Sequence, residues 1–125
     1  MIIISACLLG IKCRYDGKVL KRNCFTRNAI GQIGLRQLIP VCPEQLGGLS
    51  TPRPKVKIKK GGKAINEQGE DVTRNFRAGA SEVLKIAKLF GIKKAILKSN
   101  SPSCGKDGIT AKRLKKAGIK ITWID

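Results

Sequence analysis

Apolar and polar positions divide the chain into short hydrophobic runs that alternate with longer segments of helical periodicity. Short β-branched runs bounded by polar residues predict buried strands, which we place at residues 2–5, 38–41, 95–97 and 119–124. Apolar residues spaced three and four apart predict helices, which we place at residues 26–37, 71–90 and 110–117. Gly91 is the expected stop of the second helix, and Gly118 is the expected C-cap of the third.

Strands that alternate with helices predict a mostly parallel sheet with right-handed crossovers. Residues 55–65 add a different pattern, because alternating Val, Lys and Ile around Gly61 and Gly62 are typical of a two-stranded hairpin with one polar face. No internal repeat or long linker divides the sequence. We therefore expect an α/β fold over residues 1–125: a single-domain, mostly parallel, Rossmann-like sheet flanked by helices, with a small peripheral β-hairpin.

Cysteines come soon after three of the four predicted strands. Cys7 follows the first strand, Cys42 follows the second, and Cys104 ends the polar loop after the third. In parallel sheets, ligands bind outside the carboxyl ends of the strands, where these loops meet. The sequence therefore predicts three thiols at one edge of one sheet.

Composition narrows the chemistry available at that edge. The 125 residues include five Cys and no His, which excludes Ser-His-Asp and Cys-His catalysis as well as imidazole metal ligands. The N-terminal apolar run is about half as long as a membrane span and has no basic segment before it. We therefore expect a cytoplasmic protein with reduced thiols and no membrane partner.

Converging thiolates suit zinc or an iron–sulfur cluster. A structural zinc site usually takes two close Cys pairs, and the chain has no CxxC pair. Three thiolates on a four-iron cluster leave one iron without a protein ligand, and such an iron is a Lewis acid suited to a soft sulfur atom. The alternative is a buried cysteine that only packs, which we favour for Cys24. Cys13 is interpreted as a fourth ligand, a redox partner or an incidental neighbour.

A carboxylate and several hydroxyl groups accompany the thiols. Glu44 lies in the second cysteine loop, and a carboxylate in a partly desolvated cleft can act as general base on water. The competing interpretation is that Glu44 caps a backbone amide or pairs with Arg53. Ser99, Ser101 and Ser103 lie in the third loop, where hydroxyl groups can position a polar ring or cap the next helix.

The chain is strongly basic, with 26 Lys and Arg against 8 Asp and Glu and a formal charge of +18. A charge of this size attracts nucleotides or nucleic acid, although it equally suits a solvated surface without a ligand. Many of the lysines fall in the hairpin, at residues 55–63, and in the last helix, at residues 112–116.

Several motifs, taken in order, resemble one known family. They are Ser5-Ala6-Cys7-Leu8-Leu9-Gly10, Arg14-Tyr15-Asp16-Gly17, Pro40-Val41-Cys42-Pro43-Glu44, Gly47-Gly48-Leu49, Thr51-Pro52-Arg53, Asp71-Val72-Thr73 and Ser101-Pro102-Ser103-Cys104-Gly105. Together they span nearly the whole chain, which is similar to the thiouracil desulfurase family. Two segments depart from the family pattern: residues 54–58 lack a carboxylate that members commonly carry, and the loop after Gly105 is shorter.

The resemblance implies an iron–sulfur enzyme. It places a [4Fe-4S] cluster on Cys7, Cys42 and Cys104, with one iron not ligated by protein, and gives Glu44 an acid/base role and Ser101 a role in handling the substrate. The implied reaction is non-redox: the sulfur of a thiolated uracil binds the open iron, water activated by Glu44 attacks the ring carbon, and hydrogen sulfide is released. The expected substrate is a free base, a nucleoside or nucleotide, or a tRNA thiouridine drawn to the basic surface.

Two other functions remain open. An open iron could hold a sulfide and donate it to another enzyme or to tRNA thiolation, which would make the protein a sulfide carrier. A basic nucleic-acid-binding domain with a structural metal would contain zinc, tolerate air and show no turnover. Metal content and product analysis separate these functions.

Overall fold

A computed structural model describes residues 1–20 and 34–125. Within these ranges the elements are, in chain order, β1 (Ile2–Ser5), β2 (Leu38–Val41), α1 (Pro43–Leu46), β3 (Val56–Ile58), β4 (Ala64–Asn66), α2 (Thr73–Phe90), β5 (Lys94–Lys98), α3 (Ile109–Lys116) and β6 (Lys120–Ile124), with 3-10 turns at Ala6–Leu9 and Leu35–Gln37. The helix predicted at residues 26–37 falls mostly outside the described residues, and its last three positions form the second 3-10 turn. No helix in the described ranges is long and apolar enough to cross a membrane.

A four-stranded parallel sheet with strand order β2-β1-β5-β6 forms the centre of the fold. Ile3 of β1 lies in register between Ile39 of β2 and Ala95 of β5. The chain leaves β1 toward β2 on one side and later enters β5 on the other, so the strand order reverses between β1 and β5. Such a switch point opens a crevice at the carboxyl edge of the sheet. β3 and β4 pair with each other as the predicted antiparallel hairpin.

Apolar side chains cover both faces of the sheet. On one face, α2 and α3 contribute to a buried core that includes Ile3, Val83, Ala95, Leu97 and Leu114. On the other face, Leu8, Leu9 and Leu20 pack with Ile4 and Ile96. Because β1 is buried on both faces, its sequence is apolar without alternation, which is the pattern that predicted it.

The predicted fold class is confirmed: the chain is α/β, with a mostly parallel sheet flanked by helices and a small hairpin. α2 ends where predicted, at Gly91, which has a φ of 63°. The prediction for the last helix was wrong in detail, because α3 begins at Ile109 and its C-cap is Ala117. Gly118 follows the cap with a φ of 86°, in the left-handed region that favours glycine.

Two glycines let the short helix α1 lie directly against α2. A Cβ atom on Gly79 would overlap the carbonyl group of Pro43, and one on Gly47 would overlap the carbonyl group of Asn75. The two backbones therefore meet where no side chain fits. The Asn75 side-chain amide also donates to the Gly47 carbonyl at 2.9 Å. These contacts fix α1, and with it Glu44, relative to the core.

We expect Gly79→Ala to lower the free energy of unfolding by about 1–3 kcal/mol, because the added methyl group must push α1 away from α2. This cost outweighs the roughly 1 kcal/mol that alanine gains over glycine in a helix. Thermal unfolding checks the prediction, with Lys88→Ala on the exposed side of α2 as the control. A Tm equal to that of the wild type would contradict the close contact between the two helices.

Candidate functional site

A cavity of about 310 Å³ lies at the carboxyl edge of the parallel sheet. Its walls come from the loops after β1, β2 and β5, together with residues 53–56, which lead into the hairpin. Four cysteines line it: Cys7, Cys13, Cys42 and Cys104. The structure thus brings together the three thiols that the strand ends predicted and adds Cys13. Cys24 lies outside the described residues.

Short elements at the strand ends place Cys7 and Cys42. Cys7 lies in the 3-10 turn Ala6–Leu9, which ends at Gly10 with a φ of 81°. Cys42 immediately precedes α1, whose first residue is Pro43, and proline is preorganised for the first turn of a helix. Both thiols are half-buried.

Hydroxyl groups shape the loop that carries Cys104. The Ser101 hydroxyl oxygen accepts hydrogen bonds from the backbone N–H groups of Ser103 and Cys104, at 3.3 and 3.1 Å. The Ser103 hydroxyl donates to the Cys104 sulfur at 3.6 Å, and the Ser5 hydroxyl accepts a hydrogen bond from the Lys98 N–H at 3.0 Å. The Trp123 indole N–H donates to the Cys104 carbonyl at 2.8 Å. Sequence reasoning gave no role to Ser5 or Trp123.

Cys13 is a buried cysteine beside Cys42. Only 2% of its surface is exposed, and its carbonyl oxygen lies 3.7 Å from the Cys42 sulfur. Hydrogen bonding by the Cys13 thiol lowers the pKa of Cys7, although burial opposes this. It also lowers the pKa of Cys42 to about 6, with help from the backbone N–H of Gln45 and the charge of Arg53. Donating these hydrogen bonds raises the pKa of Cys13 itself.

The pKa of Cys104 shifts in the opposite direction to those of Cys7 and Cys42. Burial raises the pKa of its thiol to about 12, and the hydrogen bonds of Ser5 and Ser103 only partly offset this. Without a metal, the cavity therefore has two thiols with a lowered pKa, Cys7 and Cys42, and two with a raised pKa, Cys13 and Cys104. Metal coordination removes the difference, because a coordinating thiol is deprotonated.

Glu44 forms a buried ion pair with Arg53. Of the two interpretations of Glu44, the pairing is therefore present, and it uses carboxylate oxygen Oε2. Arg53 also donates to the Cys13 carbonyl and to the Thr51 hydroxyl, each at 3.0 Å. Arg53 thus joins the loops after β1 and β2 and holds the carboxylate at the cavity wall.

The cavity wall is mainly cationic. Its charged lining residues are one carboxylate, Glu44, and four cations, Arg14, Arg53, Lys55 and Lys98. Each arginine has a carboxylate within ion-pair distance, whereas neither lysine has one among the described residues. The cavity therefore favours a ligand that carries negative charge.

The donor set fits an iron–sulfur cluster. In the described part of the chain, no group of three or more Cys, Asp or Glu is close enough to hold a single metal ion. A cluster does not need such a group, because its protein ligands bind different irons. Thiols that reach one cavity from three loops, with no imidazole anywhere in the chain, are the ligands that iron–sulfur clusters use.

Fold and site together define a small α/β protein with a thiol-lined cavity at the switch point of its sheet. The family of 2-thiouracil desulfurases matches residues 2–124. The chain therefore belongs to the 2-thiouracil desulfurase family, which confirms the resemblance seen in the motifs.

Two relatives extend this comparison. The uncharacterized protein YbbK of Bacillus subtilis (strain 168) is 34% identical over an alignment of 145 residues. The alignment covers 97% of this chain and 93% of that protein. The solved structure of the [4Fe-4S]-dependent thiouracil desulfidase TudS matches with a TM-score of 0.86 and 36% identity, over 98% of this chain and 89% of that one. The chain therefore matches the sequence of YbbK and the fold of TudS over nearly its full length.

Proposed function

We propose that this protein is a [4Fe-4S]-dependent enzyme that removes the sulfur of a thiolated uracil without net oxidation or reduction. In this proposal Cys7, Cys42 and Cys104 hold the cluster, and one iron has no protein ligand. The observation that carries it is the arrangement of these thiols with Glu44 and Ser101 around one cavity. Family membership and likeness to a [4Fe-4S]-dependent thiouracil desulfidase support it.

The side chains of the cavity supply the acid/base steps. When bound, the cluster supplies a Lewis-acidic iron for the sulfur of the substrate. Glu44 takes a proton from the water that attacks the ring carbon, while Arg53 holds the carboxylate in place. The Ser101 hydroxyl, which is fixed by the Cys104 N–H, hydrogen bonds the polar edge of the ring. The reaction balances without an electron carrier, since a thiocarbonyl group and water give a carbonyl group and hydrogen sulfide.

The experiment that tests this proposal uses protein prepared without oxygen. Iron and sulfide analysis, a visible spectrum and the addition of a thiouracil should give a four-iron cluster, a spectral shift, and uracil and sulfide in equal amounts. Uracil formed while sulfide stays on the protein would favour a sulfide carrier. Zinc or no metal would overturn the proposal in favour of a basic nucleic-acid-binding domain.

The free thiols also suit a reducing compartment, and we place the enzyme in the cytoplasm.

The substrate of the proposed enzyme carries phosphate, either as a nucleotide or within a tRNA. The cationic cavity wall supports this, as do the exposed lysines and arginine outside it, which include Lys57, Lys59, Lys60, Lys112, Arg113 and Lys116. The described residues form three ion pairs, so most of these cations are free to meet phosphate. Phosphate contacts of this kind release counterions and weaken as salt rises.

We expect a lower KM for thiouridine monophosphate or thiolated tRNA than for free thiouracil, and a KM that rises with salt only for the phosphate-bearing substrates. Lys55→Ala should raise the KM for the monophosphate by about two- to fivefold, the size expected of an exposed ion pair, and leave that for thiouracil unchanged. Steady-state kinetics measure both effects, with Lys88→Ala as the matched control. Equal KM values for base and monophosphate at low salt would contradict a phosphate-bearing substrate.

A further inference from the structure

The motif Arg14-Tyr15-Asp16-Gly17, in the loop after β1, has no role in the proposed function. The Gly17 N–H donates to the Arg14 carbonyl at 2.9 Å, so Tyr15 and Asp16 are the two central residues of a tight turn. The Asp16 carboxylate accepts a hydrogen bond from the Lys18 N–H at 2.9 Å. Gly17 has a φ of 70°, which suits glycine at the end of the turn. The turn is therefore stabilised by its own contacts.

The turn is also joined to the wall that holds Glu44. The Tyr15 carbonyl accepts a hydrogen bond from the Arg53 N–H at 2.8 Å. The guanidinium group of the same Arg53 forms the buried ion pair with Glu44. One residue therefore holds both Tyr15 and the proposed general base in place.

Tyr15 brings an aromatic ring to the cavity. Among the described residues that line the cavity, it is the one with an aromatic side chain. The residue is 37% exposed and belongs to neither apolar cluster that covers the sheet, so core packing does not explain the ring. The Arg14 guanidinium lies over the ring, 5.9 Å from its centroid, which is a cation–π distance. Arg14 also lies 3.8 Å from the Asp16 carboxylate, so the turn holds the ring through its own side chains.

We propose that Tyr15 is a substrate-binding residue whose ring stacks on the pyrimidine of the substrate. The inference rests on the proposed function, in which that pyrimidine enters the cavity. Arg14 occupies one face of the tyrosine ring, and the proposal assigns the other face to the substrate. Stacking selects for a flat, unsaturated ring and accepts any pyrimidine, because every base has a π face. Tyr15 therefore favours a thiolated heteroaromatic ring over an acyclic thiourea.

Two ligands that carry no sulfur test the stacking apart from the reaction. Dihydrouracil has the same carbonyl and N–H groups as uracil, but its saturated ring is neither flat nor aromatic. Isothermal titration into anaerobically reconstituted protein should give a Kd for uracil at least about fivefold lower than that for dihydrouracil, the lower end of what stacking on an aromatic side chain contributes.

Two substitutions assign this preference to the ring. Tyr15→Leu keeps an apolar side chain without a π face and should bind the two ligands about equally. Tyr15→Phe keeps the ring and should keep the preference for uracil. A merely structural role of Tyr15 predicts a different result, because a distorted cavity weakens both ligands together.

Equal affinities of the wild type for uracil and dihydrouracil would overturn the inference, and this comparison needs no variant to fold. A Tyr15→Leu protein that keeps the wild-type preference would also overturn it, as would wild-type protein that binds no uracil up to the solubility limit. Protein that prefers uracil through Tyr15 but does not desulfurate thiouracil overturns only the proposed function. Turnover of thiouracil with the same KM in the wild type and in Tyr15→Leu overturns only the role of Tyr15.

Discussion

Cys42→Ser should lose both the cluster and the desulfuration of thiouracil. The hydrogen bond from Cys13 lowers the pKa of the Cys42 thiol to about 6, so the native site presents a thiolate at neutral pH. A serine hydroxyl stays protonated there and is a poor ligand for soft iron. Iron content after anaerobic reconstitution should fall from about four per chain to a minor fraction, with turnover below detection.

Circular dichroism separates this effect from a folding defect. The pH dependence gives a second check. Because iron binds the deprotonated thiol, reconstitution of the wild type should weaken as pH falls through about 6, where Cys42 becomes protonated. A Cys42→Ser protein with four irons and normal turnover would remove Cys42 from the ligand set.

Glu44→Gln should keep the cluster and slow the reaction by about 10²- to 10⁴-fold, the usual contribution of a general base. Glutamine keeps an oxygen for the Arg53 guanidinium but cannot take a proton from water. Single-turnover kinetics on protein of equal iron content measure the effect. Glu82→Gln, which changes an exposed carboxylate on α2, is the control and should react at the wild-type rate. Full activity of Glu44→Gln would assign the proton to another acceptor.

Glu44→Ala changes the stability of the fold as well as the proton transfer. It leaves the Arg53 guanidinium buried without its carboxylate partner, a change that typically costs about 3–5 kcal/mol. Comparing the two variants by thermal unfolding therefore separates the stabilising role of the ion pair from the proton transfer. A lower Tm in Glu44→Ala than in Glu44→Gln is the expected order.

Much of the fold could be predicted because its signals are local. Each parallel strand is a short apolar run, α2 has a regular apolar face with a glycine at its end, and the hairpin alternates around two glycines. The meeting of Cys7, Cys42 and Cys104 then followed from topology, since loops after adjacent parallel strands share one edge.

Contacts between distant segments could not be predicted in this way. The Trp123 N–H, on β6, donates to the backbone carbonyl of Cys104 in the loop after β5, and no side-chain pattern encodes such a partner. The place of Cys13 depends on the path of an irregular loop and on Arg53, which stands 40 positions later in the sequence. For the same reason, the sequence left the ion pair between Glu44 and Arg53 as one of two interpretations.

The strand order β2-β1-β5-β6 also bears on how the protein matures. The loops that carry Cys7, Cys42 and Cys104 follow three strands that are adjacent in the sheet but separated by long stretches of sequence. Closing such stretches is a slow step in folding, so all three thiols meet only after β5 has docked beside β1. The complete set of three thiols therefore exists only in a chain in which β1, β2 and β5 have come together. In the proposed function, a cluster held by these thiols would link three strands and add its binding free energy to the stability of the folded state.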